Sequence, residues 1–269
     1  MTVDGSRRVG LIGWPVEHSL SPAMHNAAFE ALGIQWRYTL LPTELESVGP
    51  LLSGLAARNY RGVNVTVPHK QAVMAFMDQI DPAAESIGAV NTIVVSRSRL
   101  TGHNTDGSGF VASLREEGFD PEGRRVLVLG AGGAARSVVW SLLHEGCQVT
   151  LHNRTPGRAL RLASDLAKVG TRPVVVDSLH ALNLNEFELL VNSTSVGMWP
   201  LVDASPWPET MPIPDHWTVL DLVYNPAETA LLARARKAGA TVIGGLGMLV
   251  HQGAQAFRLW TGLELSLIH

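Results

Sequence analysis

Residues Val126 to Arg136 read V-L-V-L-G-A-G-G-A-A-R, and few stretches leave a chain so little choice of fold. Four apolar residues make a short buried-strand signal. They run directly into Gly130-Ala131-Gly132-Gly133-Ala134-Ala135, and an apolar-periodic helical segment follows through Leu143. Gly130, Gly132 and Ala135 match G-x-G-x-x-G/A, the strand-to-helix turn that lays a dinucleotide pyrophosphate on a helix N-terminus. Gly130 permits the tight turn, Gly132 lets backbone N–H groups approach the phosphates, and Ala135 keeps helix and strand close. Glycine clusters also make ordinary loops; the strand before and the helix after supply the context that the motif needs.

In such a fold the tip of the second strand meets the adenosine ribose. An acid there bonds the 2′-hydroxyl of NAD, and an arginine accommodates the 2′-phosphate of NADP. Here the tip reads Asn153-Arg154-Thr155, with Arg158 one turn on and no carboxylate. Arg154 can form a fork-like, charge-assisted contact to phosphate, with neutral donors beside it. NADP is the predicted cofactor.

Around this unit the chain alternates strand and helix, which predicts an α/β fold with a mostly parallel sheet. Strands are expected at 8–13, 36–41 and 62–67, and a helix at 44–58. Another helix should start with Ser21 as N-cap and Pro22 behind it, and bury Met24, Ala27, Ala28, Ala31 and Leu32. Pro68 is expected to open a helix with Lys70 in its first turn. Gly88–Val95 should be a strand that includes Asn91 and pairs through a hairpin at Arg97-Ser98-Arg99, and Phe110–Glu117 should be helical. After Val126 the count restarts, with strands at 147–152, 174–177, 188–192, 218–221 and 240–243, and helices at 156–168 and 228–238. Ser195–Pro214 carries five prolines and is expected to be a surface loop covering a cleft, and 244–252 a loop leading into a helix that ends at Trp260.

At 269 residues there is room for two domains. With 21 Lys and Arg against 24 Asp and Glu, the net charge of −3 argues against a nucleic-acid or anionic-membrane surface. The single cysteine, Cys147, rules out an internal disulfide and reads as a small buried hydrophobe in a reducing compartment. The ten histidines show no metal-ligand spacing, so no metal is expected; His18, His25 and His69 read as helix-end or surface residues. Arg7-Arg8 precede an apolar run too short and too broken by Gly and Pro for an export signal, and no stretch approaches the roughly 20 apolar residues of a membrane span. A cytoplasmic, soluble protein is expected.

Two segments carry polar residues that core packing does not require. In N-V-T-V-P-H-K, Asn64 and Thr66 fall on one face of an extended segment, followed by Lys70. Lys70 reads either as a functional cation or as a solvated lysine, misplaced for a helix start. In G-H-N-T-D-G, Asp106 reads either as a helix N-cap or as a functional acid.

Taken together, the chain resembles the shikimate dehydrogenase family. The matching motifs are S-L-S-P (19–22), N-V-T-V-P-H-K (64–70), G-A-V-N-T (88–92), N-T-D-G (104–107) and G-A-G-G-A-A-R (130–136). To these are added N-R-T (153–155), N-S-T-S-V-G-M (192–198), D-L-V-Y-N-P (221–226) and G-M-L-V-H-Q-G-A (247–254), in the family's order across nearly the whole chain.

The resemblance implies two domains with a cleft between them. Residues 1–105 and 245–269 would form the substrate-binding catalytic domain, an open, mostly parallel α/β sheet. Residues 106–244 would form an inserted, doubly wound NADP-binding domain of Rossmann type. It also implies reversible NADPH-dependent reduction of 3-dehydroshikimate to shikimate. Ser19 and Ser21 would hold the substrate carboxylate with help from Tyr224, and Asn64, Thr66, Asn91 and Gln252 would bond ring hydroxyls. Lys70 and Asp106 would be the catalytic pair. Gly130, Ala131, Gly132, Gly133 and Ala134 would take the pyrophosphate, with Asn153, Arg154, Thr155 and Arg158 at the 2′-phosphate. Ser193 and Thr194 would lie beneath the cofactor, and Leu222, Gly245 and Met248 along the nicotinamide. Ketone reduction needs a hydride source and a proton donor for the developing alkoxide, which suits a lysine next to a carboxylate. His103 departs from the family, which often has Asp there. The alternatives are a quinate/shikimate or amino-shikimate dehydrogenase of broader specificity, and a non-catalytic dinucleotide-sensing module, which would not need both Lys70 and Asp106.

Overall fold

The computed structural model describes residues 6–168 and 171–265. It divides into two compact units, Met1–Gly109 with Leu249–His269, and Phe110–Met248.

The first unit contains β1 (Arg7–Gly13), α1 (Ser21–Ala31), β2 (Trp36–Pro42), α2 (Val48–Ser53), β3 (Tyr60–Val65), β4 (Gln79–Ile80), α3 (Pro82–Ile87), β5 (Thr92–Ser96) and β6 (Arg99–His103). Its sheet runs β2-β1-β3-β5-β6-β4. β1 pairs parallel with β2 and β3, and the β5–β6 hairpin pairs antiparallel with β3. The two-residue turn is Arg97-Ser98, both at positive φ, the geometry that matches strand twist in a tight hairpin. Side-chain alternation sorts the sheet's two faces. Val9 and Leu11 pack with Phe29, Phe257 and Trp260, while Ile12, Val63 and Val65 pack with Leu52 and Leu55.

Two helices, α4 (Asp106–Glu116) and α8 (Leu246–Thr261), run across the division between the units. The second unit continues with β7 (Arg125–Leu129), α5 (Gly133–His144), β8 (Gln148–His152), α6 (Pro156–Leu166), β9 (Val174–Val175), β10 (Leu189–Asn192), β11 (Thr218–Asp221), α7 (Ala230–Lys237) and β12 (Thr241–Ile243). Its order, β12-β11-β10-β7-β8-β9, is parallel throughout and reverses direction between β7 and β10. That is the doubly wound Rossmann arrangement, with its switch point beside the glycine turn. Successive residues of β7 face opposite cores, Val126 and Val128 under α5 and α6, Leu127 and Leu129 under Trp207, Trp217 and Leu231.

Five expectations from the sequence are corrected. In α1, Ser21 is the first helical residue rather than the cap, and the buried stripe is Ser21, His25 and Phe29, with Ala27, Ala31 and Leu32 exposed. The stripe follows the i, i+4 spacing, but through a histidine that an apolar pattern does not count. The helix expected at 44–58 is a 3-10 turn at Leu45–Ser47 followed by the six-residue α2, because Pro50 lacks an N–H and Gly54 ends it. Lys70 sits in a turn, and only Ala72–Phe76 is helical, as 3-10. α8 starts at Leu246, so Gln252 is helical and not in a loop. The proline-rich segment is no bare surface loop, since Trp207, Met211 and Ile213 are buried in a core and Arg234 of α7 donates to the carbonyls of Pro208 and Met211.

His25 and His69 are likewise not surface residues. His25 is 1% exposed, stacked 4.5 Å from the Tyr38 ring and 6.4 Å from Phe257, with neither ring nitrogen hydrogen-bonded. Burial pushes its pKa down to about 3. His69 is fully buried and donates from Nε2 to the Thr43 carbonyl at 2.7 Å. Cys147 is buried, gives its thiol to the Pro121 carbonyl, and is pushed up to about 12 by burial.

Candidate functional site

In the first unit the polar residues singled out from sequence converge. Asn64 lies near the end of β3, Asn91 just before β5, Asp106 at the start of α4 and Gln252 inside α8. Lys70 stands in the turn after β3, tied to the neighbouring segment where Val90 N–H meets the Lys70 carbonyl at 2.8 Å. Its Nζ lies 2.6 Å from Asp106 Oδ2, and the two side chains are 11% and 6% exposed. A solvated lysine does not look like this. Nor does Asp106 act as an N-cap, because its second oxygen accepts from Asn91 Nδ2 at 2.8 Å.

The Asn91 amide has one possible orientation. Its Oδ1 takes the Thr105 backbone N–H at 2.8 Å, so its Nδ2 must face Asp106. That NH₂ group also reaches Thr105 Oγ1 at 2.9 Å and Gln252 Oε1 at 3.4 Å. Asn64 is fixed in the same way. Its Nδ2 donates to the Asn91 carbonyl and to Thr92 Oγ1, and its Oδ1 accepts the Tyr38 hydroxyl at 2.9 Å. Gln252 Nε2 donates to the Leu249 carbonyl at 2.7 Å. Gly109 permits the approach of α4 to this residue, since a Cβ there would lie 2.7 Å from the Gln252 nitrogen.

Ser19 Oγ accepts from the Ser21 backbone N–H at 3.2 Å, with Ser21 buried at the start of α1. Thr66 follows β3 half-buried, its N–H on the Ile12 carbonyl. Tyr224 belongs to the other unit, half-buried in the loop after β11. His103, where the resemblance departs, has its carbonyl on the Asn91 N–H and its ring 4.0 Å from Asp81. Burial lowers its pKa, against a smaller opposing pull from Asp81.

The site depends on residues that sequence reasoning missed. Tyr38, Thr92 and Thr105 orient the two asparagines, and His69 anchors the turn bearing Lys70. Thr92 and Thr105 stand inside the quoted motifs, each next to a residue that was selected. Tyr38 carries no local signal.

In the second unit Gly130 turns at φ +115, and a Cβ there would meet Ser193 Oγ at 2.6 Å. Gly132 has open space instead, with no atom within 4 Å of where a Cβ would stand, and α5 begins at Gly133 with its first backbone N–H groups beside that space. Ala131, Gly133 and Ala134 complete the turn, and Ala135 is fully buried against the sheet. After β8, Asn153 Nδ2 braces the bend on the Thr155 carbonyl, and Arg154 and Arg158 stand exposed. A free helix N-terminus, room for a phosphate and exposed guanidinium groups in place of an acid fit a dinucleotide with a 2′-phosphate. Ser193 Oγ donates to the Leu129 carbonyl at 2.6 Å, which sets the 193–194 segment beside the glycine turn. Leu222 is half-buried after β11, and Gly245 and Met248 flank the start of α8. Among the described residues, no cluster of His, Cys, Asp or Glu is built to hold a metal ion, and no helix is long and apolar enough to cross a membrane.

Comparison with known proteins agrees with the two-unit α/β fold and the dinucleotide. Residues 11–93 match the family model described as shikimate dehydrogenase substrate binding domain, 113–219 that of shikimate / quinate 5-dehydrogenase, and 245–266 that of the shikimate 5'-dehydrogenase C-terminal domain. The shikimate dehydrogenase (NADP(+)) of Moorella thermoacetica is 51% identical over 261 residues, covering 95% of this chain and 88% of that protein. A shikimate dehydrogenase solved in complex with NADP+ superposes with a TM-score of 0.90 at 38% identity, covering 96% of this chain and 91% of the other. The Thermus thermophilus enzyme, solved with NADP(H) and shikimate, superposes with a TM-score of 0.86 at 43% identity, over 97% and 95%. The chain belongs to the shikimate dehydrogenase (NADP(+)) family.

Proposed function

We propose that this chain works as an NADP-dependent shikimate dehydrogenase in which Lys70 and Asp106 are the catalytic pair. The enzyme is an oxidoreductase acting on a CH–OH group, and it interconverts 3-dehydroshikimate and shikimate reversibly in aromatic biosynthesis. The observation that carries the assignment of roles is the Lys70–Asp106 contact of 2.6 Å, held by an asparagine whose amide has only one orientation.

NADPH, when bound, supplies the hydride. Lys70 Nζ, with three hydrogens and one committed to Asp106, offers another to the substrate carbonyl oxygen and stabilises the charge that develops there. The proton moves from Nζ to that oxygen. Asp106, held from two sides, keeps Nζ in place and accepts from the neighbouring ring hydroxyl. Asn64, Thr66, Asn91 and Gln252 bond the remaining hydroxyls, and Ser19, Ser21 and Tyr224 the carboxylate. An analogue lacking a hydroxyl would leave a buried polar group unpaired, which is a strong basis for rejection.

Gly130, Ala131, Gly132, Gly133 and Ala134 hold the pyrophosphate, Asn153, Arg154, Thr155 and Arg158 the 2′-phosphate, and Ser193, Thr194, Leu222, Gly245 and Met248 the nicotinamide half. In this assignment residues 1–105 with 245–269 form the catalytic domain and 106–244 the cofactor domain. The enzyme acts in the cytoplasm as a monomer or homodimer. A matrix of shikimate and quinate against NADP+ and NAD+ tests the function: the highest kcat/KM is expected for shikimate with NADP+, and no reduction of NADP+ by shikimate would refute it.

A further inference from the structure

Asn192 and Asp221 close β10 and β11 and lie side by side in register, both fully buried. Asn192 Oδ1 receives the Thr194 N–H at 3.0 Å and the Thr194 hydroxyl at 2.7 Å. Its Nδ2 therefore faces the other way, toward Asp221 Oδ1 at 2.8 Å and the Val196 carbonyl at 3.3 Å. Asp221 Oδ1 also accepts the Val223 N–H at 3.0 Å, and Oδ2 accepts the hydroxyl of Thr229 at 2.7 Å. Thr229, 1% exposed, in turn accepts the Leu232 N–H and so caps α7. One carboxylate thus ties together the loop after β10, the loop after β11 and the first turn of α7. All its partners are neutral donors. A side chain with a single acceptor breaks at least one of these bonds.

We propose that Asp221 is a positioning residue for the nicotinamide half of the dinucleotide. It acts through the loops it joins, which carry Thr194 and Leu222, and it rests on the assignment of those residues to the cofactor made above. Ser193, on the Leu129 carbonyl, pins the first loop to the glycine turn, and Asp221 pins it to the second loop. Loops already ordered in the binding geometry spare the dinucleotide their ordering cost. The adenosine half, at Asn153–Arg158 beyond β8, lies outside this clasp.

Calorimetric titration of the full chain with NADP+ and with adenosine 2′,5′-bisphosphate separates the two halves. Asp221→Asn keeps the shape of the side chain and removes one acceptor. It is expected to weaken NADP+ about tenfold while the bisphosphate stays within about twofold. Unchanged NADP+ affinity, or equal weakening of both ligands as from general loosening, would overturn the proposal. If D221N does not fold, Thr229→Val, which removes the donor to Oδ2, should weaken NADP+ selectively, with Thr229→Ser restoring it. A T229V protein with unaltered NADP+ affinity overturns the proposal equally. Arg154→Ala should weaken both ligands. If it weakens neither, the assignment of the cofactor site fails, and this proposal with it.

Discussion

Asp106 and Asp221 are both buried carboxylates in different units, the first opening α4 and the second closing β11. Asp106 faces an ammonium at 2.6 Å. Asp221 faces only an amide, a backbone N–H and a hydroxyl, and burial pushes its pKa up to about 6 despite those bonds. The first unit pairs a charge to a charge, and in the proposed function the remaining N–H groups of that cation serve proton transfer. The second uses a carboxylate purely as a multiple acceptor, a structural task that needs no cation. The same residue type is thus assigned to chemistry in the proposed function and to architecture in the other unit, and what separates them is the partner.

The largest expected effect breaks the first half of this contrast. Lys70→Ala should lower kcat by about a thousandfold, with NADP+ affinity in calorimetry unchanged, because proton donation is lost and the cofactor turn is untouched. Loss of NADP+ binding instead would mean that Lys70 is not confined to the chemistry.

His25 shows what burial does without any partner. Its pKa is lowered from 6.5 to about 3, so the stability it contributes is fully present above pH 6.5 and is lost as pH falls toward 3. His25→Phe should flatten that acid limb by several kcal/mol, on the scale of about 1.4 kcal/mol per pKa unit. Denaturant unfolding between pH 3 and 7 measures it, and an unchanged slope would contradict the neutral buried imidazole.

Asp221 predicts the opposite trend. A carboxyl raised from 3.8 to about 6 contributes stability below pH 4 that is lost as pH rises through 6. Relative to D221N, the wild-type chain should lose about 2–3 kcal/mol between pH 4 and 7, and parallel curves would mean that the three donors cancel the cost of burial. The smallest effect concerns the exposed end of the cofactor site. Arg154→Ala should raise KM for NADP+ about tenfold and leave NAD+ unaffected, since only the former has a 2′-phosphate for the guanidinium.

Much of the cofactor unit could be read directly from the chain, because its signals are local. The strand, glycine turn and helix at 125–144 and the N-R-T tip each lie within a few consecutive residues, and the structure keeps them together. The helical face of α1 could not be read so, since His25 is buried only because Tyr38, Phe257 and Trp260 enclose it. Pro50 and Gly54 outweighed the apolar pattern between Glu44 and Arg58. Lys70 was selected by motif, yet its place in a turn, and not at a helix start, follows from the strand-like bond to Val90 and the anchoring of His69 on Thr43.

By itself, then, the order of residues determined two α/β units, a dinucleotide turn, an arginine in place of an acid after the second strand of that fold, and the residue types that the proposed reaction uses, because these rest on backbone geometry and on neighbours in sequence. Tertiary structure alone decided which of those residues work as a unit. Tyr38 comes to Asn64 across 26 positions, Gln252 to Asn91 across 161, and Asp221 to Asn192 across 29. A hydrogen bond is made or lost within a few tenths of an ångström, and no local pattern sets a distance between segments that far apart.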